Sequence, residues 1–382
     1  MRTKCPIEIT AEAFSVHTIE LCCYPSMKEL HRTIDRLFDL SRNTARKGMF
    51  LLPSKHTSSK TYSCLLFADQ GVRLYLSILN SNDVPRAYVK MFVNPRKLLD
   101  SSSSYLGIMP LDEQSFIRFA ENFTDLMRTI GLPEFLADWQ LNRCDLCVNL
   151  QFGKNKVARE LMAALRKNTP SGKFKQKHYM DSSLSPQKLK EKRKHYLCYA
   201  TDSVRLVVYD KMYQLTENKL ILAQEKLPNG VLRVELQCQK KFLNSQATKL
   251  DCDTNAHALL RCMQQNSAYY ILKYVKKCFC CGMQYTPDAL FQALEAAKIR
   301  DQLKQPMLAL CNSLRYGSLD KAVKTIQKQY QLSEQNVRRI LKKFQKLGIC
   351  PIPLRTRYFR SSLPSLPDLL DALEQSESIW LE

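Results

Sequence analysis

Apolar positions along the chain repeat with two periods. Over the first 100 residues short alternating runs dominate, broken by a stretch from Met27 to Phe38 in which apolar residues recur every three or four positions. The pattern predicts strands around one amphipathic helix. Ser101 to Ser104 reads as a linker, and the helical period returns over 112–130, with Phe116, Phe119, Phe123 and Met127 on one stripe. Three alternating runs follow at 142–152, 203–209 and 231–237; a helix over 156–166 and a polar loop separate the first two. From about residue 246 the period is helical to about 347 (255–263, 269–278, 287–297, 321–330 and 334–347). An α+β fold is the expectation: an antiparallel sheet with flanking helices over 1–245, a helical segment over 246–315, and a helical C-terminal part over 316–382.

That last part has finer punctuation. Gln331-Leu332-Ser333 joins two short helices, with Ser333 as N-cap; Gly348 stops the second, and Pro351 and Pro353 follow. Val337, Ile340, Leu341 and Phe344 form an apolar stripe, and Arg338, Arg339, Lys342, Lys343 and Lys346 share the same helix. This is the outline of a helix-turn-helix, winged-helix-like if 354–359 forms a wing, with those five cations as DNA contacts. A basic amphipathic helix docked on the protein body fits the same pattern.

Charge sharpens the picture. The chain carries 58 Lys and Arg against 36 Asp and Glu, a formal net charge of +22. Such an excess selects a polyanion as partner, since neutralising phosphates releases condensed counterions; an anionic membrane surface is the rival. Residues 166–194 hold ten basic and two acidic residues, and 321–360 hold eleven and one. In the first block Lys188, Lys190, Lys192, Arg193 and Lys194 are expected to hold a DNA strand from a flexible loop, with His178 and His195 as phosphate contacts or surface residues. The sequence shows no apolar run of membrane-spanning length and no secretory h-region, so a cytoplasmic protein without a membrane partner is expected. Fifteen cysteines are scattered, and Cys22, Cys23, Cys64 and Cys198 sit in apolar runs; they read as reduced core residues. Cys278, Cys280 and Cys281 lack a second ligand pair at zinc spacing and read as helix packing.

Side chains alternate across a strand, so each of the three runs divides into two faces. One face is apolar. The other collects Arg143, Asp145, Cys147 and Asn149, then Arg205, Val207, Tyr209 and Lys211, then Arg233, Glu235 and Gln237. If the runs pair, this set suits phosphodiester chemistry. Asp145 and Glu235 can hold Mg²⁺ or Mn²⁺ through oxygen, Arg205 or Lys211 can neutralise developing charge, and Tyr209 can supply the attacking oxygen. A phenol needs a cationic setting to attack at neutral pH. An exposed sheet face carrying ordinary ion pairs fits the same residues. Tyr270 and Tyr274, four apart on a helix, form a competing tyrosine pair.

The runs also carry a resemblance. Asn142-Arg143-Cys144-Asp145-Leu146-Cys147, then Val204-Arg205-Leu206-Val207-Val208-Tyr209-Asp210-Lys211, then Leu232-Arg233-Val234-Glu235-Leu236 stand in the order found in the rolling-circle replication initiators of small Gram-positive plasmids. These are topoisomerase-like initiators without a His-x-His metal site, related to the relaxases of conjugative elements. Phe92-Val93-Asn94-Pro95-Arg96-Lys97-Leu98 is similar to an earlier element of that family, and the likeness runs from roughly 85 to 245. The resemblance implies a nicking domain over 1–245 in which Tyr209 becomes linked to a 5′-phosphate and Asp145 and Glu235 are the family's acids. It implies a divalent-metal-dependent strand transferase acting on double- and single-stranded origin DNA, with a homodimer and a host helicase as expected partners. Two positions depart from the pattern: Asn149 stands where a second acid is usual, and Lys90 and Met91 precede the Phe92 element. A conjugative relaxase and a non-enzymatic DNA-binding regulator are the alternatives.

Overall fold

The computed structural model describes residues 6–43, 48–52, 59–81, 84–170, 172–221, 228–358, 360–376 and 378–381. The first half runs β1 (Ile7–Cys23), α1 (Met27–Asn43), β2 (Met49–Leu52), β3 (Lys60–Cys64), β4 (Val72–Ser81), β5 (Val84–Val93), α2 (Pro95–Leu99), α3 (Glu113–Ile130), β6 (Gln140–Phe152) and α4 (Asn155–Leu165). Then come β7 (Lys175–Lys177), α5 (Pro186–Lys194), β8 (Tyr196–Ala200), β9 (Val204–Asp210), α6 (Lys211–Glu217), β10 (Gly230–Gln239), α7 (Lys240–Lys249), α8 (Ala256–Gln265) and α9 (Ser267–Cys278). The chain continues with β11 (Met283–Tyr285), α10 (Pro287–Ala296), α11 (Asp301–Tyr316), α12 (Leu319–Tyr330), α13 (Glu334–Lys346), β12 (Ser362–Pro364), α14 (Leu366–Gln375) and β13 (Ser378–Leu381).

Eleven strands form one antiparallel sheet in the order β2-β3-β4-β5-β1-β6-β10-β9-β8-β7, with β13 also on β1; β11 and β12 pair separately. The fold is therefore mixed α+β around a large antiparallel sheet. The three alternating runs become neighbours, with β10 between β6 and β9. Their apolar face (Leu146, Val148, Leu206, Val208, Val234, Leu236) lies in the main core with Phe119 and Phe123 of α3, Leu259 and Leu260 of α8, and Ile271 and Val275 of α9. The α3 stripe is buried as its spacing predicts. Asp112 caps that helix through Ser115 N, and Gly131 ends it in the left-handed region at φ 76°.

A second core joins α10 to α13 through Leu290, Leu294, Met307, Leu310, Leu314, Ile326, Ile340 and Phe344. Ser333 caps α13 as its sequence predicts, its hydroxyl accepting from Asn336 N at 3.2 Å. Gln331, left-handed at φ 52°, closes α12. The 316–382 stretch is divided in the fold: α12 and α13 join this second core, whereas α14 packs toward α9 and β13 returns to β1. No strand forms over 354–358; the expected wing position Phe359 lies outside the described residues, and the next strand, β12, pairs with β11 instead. Among the described residues no helix is long and apolar enough to cross a membrane.

Candidate active site

Tyr209 sits one residue before the end of β9, where the chain turns directly into α6. Asp210 makes the turn, its carboxylate capping α6 by accepting from Tyr213 N at 3.0 Å. Register then assembles the polar face. Arg233 stands between Asn149 and Tyr209, Glu235 between Cys147 and Val207, and Gln237 between Asp145 and Arg205. On the far side of β6, β1 adds Glu12 opposite Asn149 and Thr18 opposite Asp145. Register shifts in β1 around residues 12–15 and 16–18 interrupt strict alternation, and both His17 and Thr18 reach the same cleft.

The cleft is a cavity of about 310 Å³ floored by Asp145, Tyr209, Glu235 and Gln237 and walled by Tyr179, Lys192, His195, Tyr196 and Tyr213. Both carboxylates of the floor are hydrogen-bonded on each oxygen. Tyr209 Oη, on a residue only 8% exposed, donates to Glu235 Oε2 at 3.2 Å, and Gln237 Nε2 donates to Glu235 Oε1 at 2.7 Å. Arg143 holds Asp145 with two bonds, Nε to Oδ1 at 2.8 Å and Nη2 to Oδ2 at 2.6 Å. Beneath Tyr209, Arg233 is wholly buried; its Nε donates to Asn149 Oδ1 at 2.7 Å and its Nη2 to the Leu106 carbonyl. Asn149 Nδ2 in turn donates to Glu12 and to Leu106 O.

These contacts set the protonation states. Burial, and then the charge of Glu235, push the Tyr209 phenol well above its ordinary value, more than the Arg233 guanidinium pulls it down. Tyr209 is thus a proton donor to a carboxylate, not the cation-activated phenolate that its neighbours in the sequence suggest. Burial and the Glu235 charge likewise push Asp145 up to about 7 against the pull of Arg143. Burial and the cations Arg233, Lys211 and Arg143 push His17 well below its usual range, so its imidazole is neutral.

The three strands bring Tyr209, Asp145 and Glu235 to one cleft. The other two expected catalytic cations stand apart from its lining. Arg205 is exposed on β9, alongside Gln237. Lys211, buried as the first residue of α6, donates to Gln214 Oε1 at 2.8 Å and lies 6.0 Å from the centre of the Tyr209 ring. Tyr270 and Tyr274 belong to the main core on the opposite face, where Tyr270 Oη donates to Gln246.

Around Asp145 and Glu235, no group of three or more His, Cys, Asp or Glu among the described residues is placed to share an ion. Two buried carboxylates on one face, Asp145 raised by burial and by the charge of Glu235, fit a hard cation that takes its remaining oxygens from water and a substrate phosphate, the usual habit of Mg²⁺. Each of the four carboxylate oxygens accepts one hydrogen bond, which leaves a second lone pair on each for such an ion.

The basic block at 188–194 is a helix and not a flexible loop. Ser185 caps α5, Pro186 opens it, and Arg193 Nε ties it to Tyr179 O at 3.1 Å. Lys188, Lys190 and Lys194 point to solvent, while Lys192 turns toward the cleft and Glu217. His195 is partly exposed, its imidazole placed between Asp210 and Glu191. On α13, Arg338, Arg339, Lys342 and Lys346 are exposed and Lys343 half-buried. The Phe92 element has a structural reason, because Asn94 caps α2 by accepting from Arg96 N and Lys97 N and Pro95 is its first residue. Sequence reasoning missed Glu12, His17, Gln237 as a site member, and Tyr179 and Tyr196 in the aromatic wall. No protein-family model matches this chain, and no curated protein sequence matches it.

Proposed function

We propose that the cleft is a DNA strand-transfer site of the rolling-circle initiator kind. The observation that carries this reading is the Tyr209–Glu235 pair: a buried phenol hydrogen-bonded to a carboxylate, on the same face as a second carboxylate and its arginine. Tyr209 Oη attacks the scissile phosphorus and its proton passes to Glu235. The bond from phosphorus to the 3′-oxygen breaks, that oxygen leaves as a 3′-hydroxyl after taking up a proton, and the 5′-phosphate stays on the tyrosine. Asp145 and Glu235 would hold Mg²⁺ or Mn²⁺, whose charge polarises the phosphate. Arg143 orients Asp145, and Arg205 would meet the DNA backbone beside the reacting group. The basic residues of α5 would hold the single strand, and those of α13, in a helix-turn-helix reading of α12 and α13, the origin duplex. Replication of a plasmid or phage and conjugative transfer share this chemistry; a host helicase and a second copy of the chain complete the proposed assembly.

Tyr209→Phe tests the proposal because it keeps the ring and removes one oxygen. With Mn²⁺ and supercoiled DNA of its own replicon, the parent is expected to relax the DNA and to form a covalent adduct that survives denaturation. The Phe variant should bind DNA and form none. Asp145→Asn should lose activity in a manner that excess Mn²⁺ partly restores. An adduct that persists in Tyr209→Phe removes the assignment, and a parent that binds the origin but never forms an adduct leaves a DNA-binding regulator.

A further inference from the structure

The wall of the cleft is aromatic to a degree that strand transfer does not require. His195 and Tyr213 stack with ring centroids 3.9 Å apart and planes 1° from parallel. Tyr179 and Tyr196 meet edge to face at 5.6 Å, and Lys192 Nζ lies 5.7 Å from the Tyr179 ring centre. All four rings and Lys192 line the cavity that reaches Tyr209, and all are partly exposed. Their positions are fixed from several directions. Asp210 both caps α6 and accepts His195 Nδ1 at 3.1 Å, and Arg193 fastens the Tyr179 backbone. Directly outside stands α5 with Lys188, Lys190 and Lys194 facing solvent.

Fixed aromatic faces beside a row of exposed cations are what a single nucleic-acid strand recognises: cations follow the phosphates, and rings stack on bases taken out of a helix. We infer that the Tyr213–His195 stack, with Tyr179 and Tyr196, is a one-nucleotide subsite that holds an unstacked base next to Tyr209. The inference rests on the strand-transfer reading for the identity of the strand. It adds the positioning: the base seated here fixes which phosphate lies over the phenol. The acidic character of the cavity (Asp145, Glu217, Glu235 and Asp210 against Arg143 and Lys192) admits a neutral base, and apart from the scissile phosphate over Tyr209 the strand's phosphates fall to α5.

The probes are a short oligothymidylate and an oligomer of equal length made only of base-free tetrahydrofuran nucleotides, each titrated by fluorescence anisotropy with parent, Tyr213→Ala and Tyr213→Phe. Tyr213→Ala leaves the α6 cap intact, because Asp210 accepts from the backbone nitrogen of residue 213. The parent should prefer the base-bearing strand roughly ten- to hundredfold, the contribution of one stacked base. Tyr213→Ala should lose most of that preference while binding the base-free strand as the parent does, and Tyr213→Phe should retain it. Equal binding of both probes by the parent overturns the subsite, as does an undiminished preference in Tyr213→Ala. If in either case the parent still forms the Tyr209 adduct, the strand-transfer reading stands without the subsite. A parent that binds neither strand and forms no adduct sinks both.

Discussion

Lys211 offers a measurement of how completely the first turn of α6 is buried. Burial, reinforced by Arg233, brings its ammonium from the ordinary lysine range to about 7, on a residue 4% exposed. A lysine whose folded pKa is depressed contributes full stability above its unfolded pKa, and that stability is lost as pH falls toward the folded one. With an unfolded value near 10.4, linkage gives a cost of about 4 kcal/mol at pH 7 and about 2 kcal/mol at pH 9, so the protein should gain about 2 kcal/mol between them from this group alone. Lys211→Met keeps the stem and removes the titration. Urea unfolding of parent and variant at both pH values isolates the effect, because every other titrating group cancels in the difference. The variant should be favoured over the parent by about 2 kcal/mol more at pH 7 than at pH 9. A stability difference that is the same at both pH values would refute the reasoning and mean that Lys211 keeps its charge in the folded protein.

Four further outcomes are expected. Replacing Lys188, Lys190 and Lys194 by Gln should weaken binding to single strands of any sequence and flatten its salt dependence, read from affinities across a salt series; an unchanged slope makes α5 a solvated surface. Replacing Arg338, Arg339 and Lys342 by Ala should reduce the preference for origin over random duplex and spare cleavage of an oligonucleotide carrying the nick site, and the reverse result would move those residues to the chemistry. Gly282→Ala should destabilise the protein by about 3 kcal/mol in thermal unfolding, since residue 282 sits at φ 107° and a Cβ there would stand 2.6 Å from the Ile349 carbonyl carbon. Gly172→Ala, left-handed at φ 70° but with open space around it, should cost only about 1 kcal/mol.

Much of the sheet was legible because alternation is a strong signal when one face packs on helices. It placed Asp145, Glu235 and Tyr209 on a common face, and their burial follows from the neighbouring strands. Alternation does not say where along the face a cleft opens, so Arg205 looked equivalent to Tyr209 although it is exposed. Nor does it signal its own end: α6 begins at residue 211, and Lys211, counted as one more strand position, turns into the protein. The β1 contribution was hidden by its bulges, which put His17 and Thr18 in the cleft together. With almost no apolar residue besides Leu189, α5 has no stripe to read, and only Ser185 and Pro186 marked its start. The pairing of β13 with β1 depends on contacts across the whole chain length and has no local signature.

The bed beneath Tyr209 constrains how this sequence can change. Glu12, Asn149 and Arg233 form one linked set with the Leu106 carbonyl, and Arg233 is fully enclosed. Asn149→Asp, which would bring in an acid at the position where the chain departs from the initiator pattern, sets a second carboxylate against Glu12 and removes the amide that bridges them. Glu12→Gln alone deprives a buried guanidinium of a counter-charge. Either change is costly singly, whereas together they exchange the acid between adjacent strands and conserve the charge around Arg233. Substitutions here are therefore epistatic, and a double-mutant cycle on residues 12 and 149 should return a coupling energy on the order of 1–3 kcal/mol.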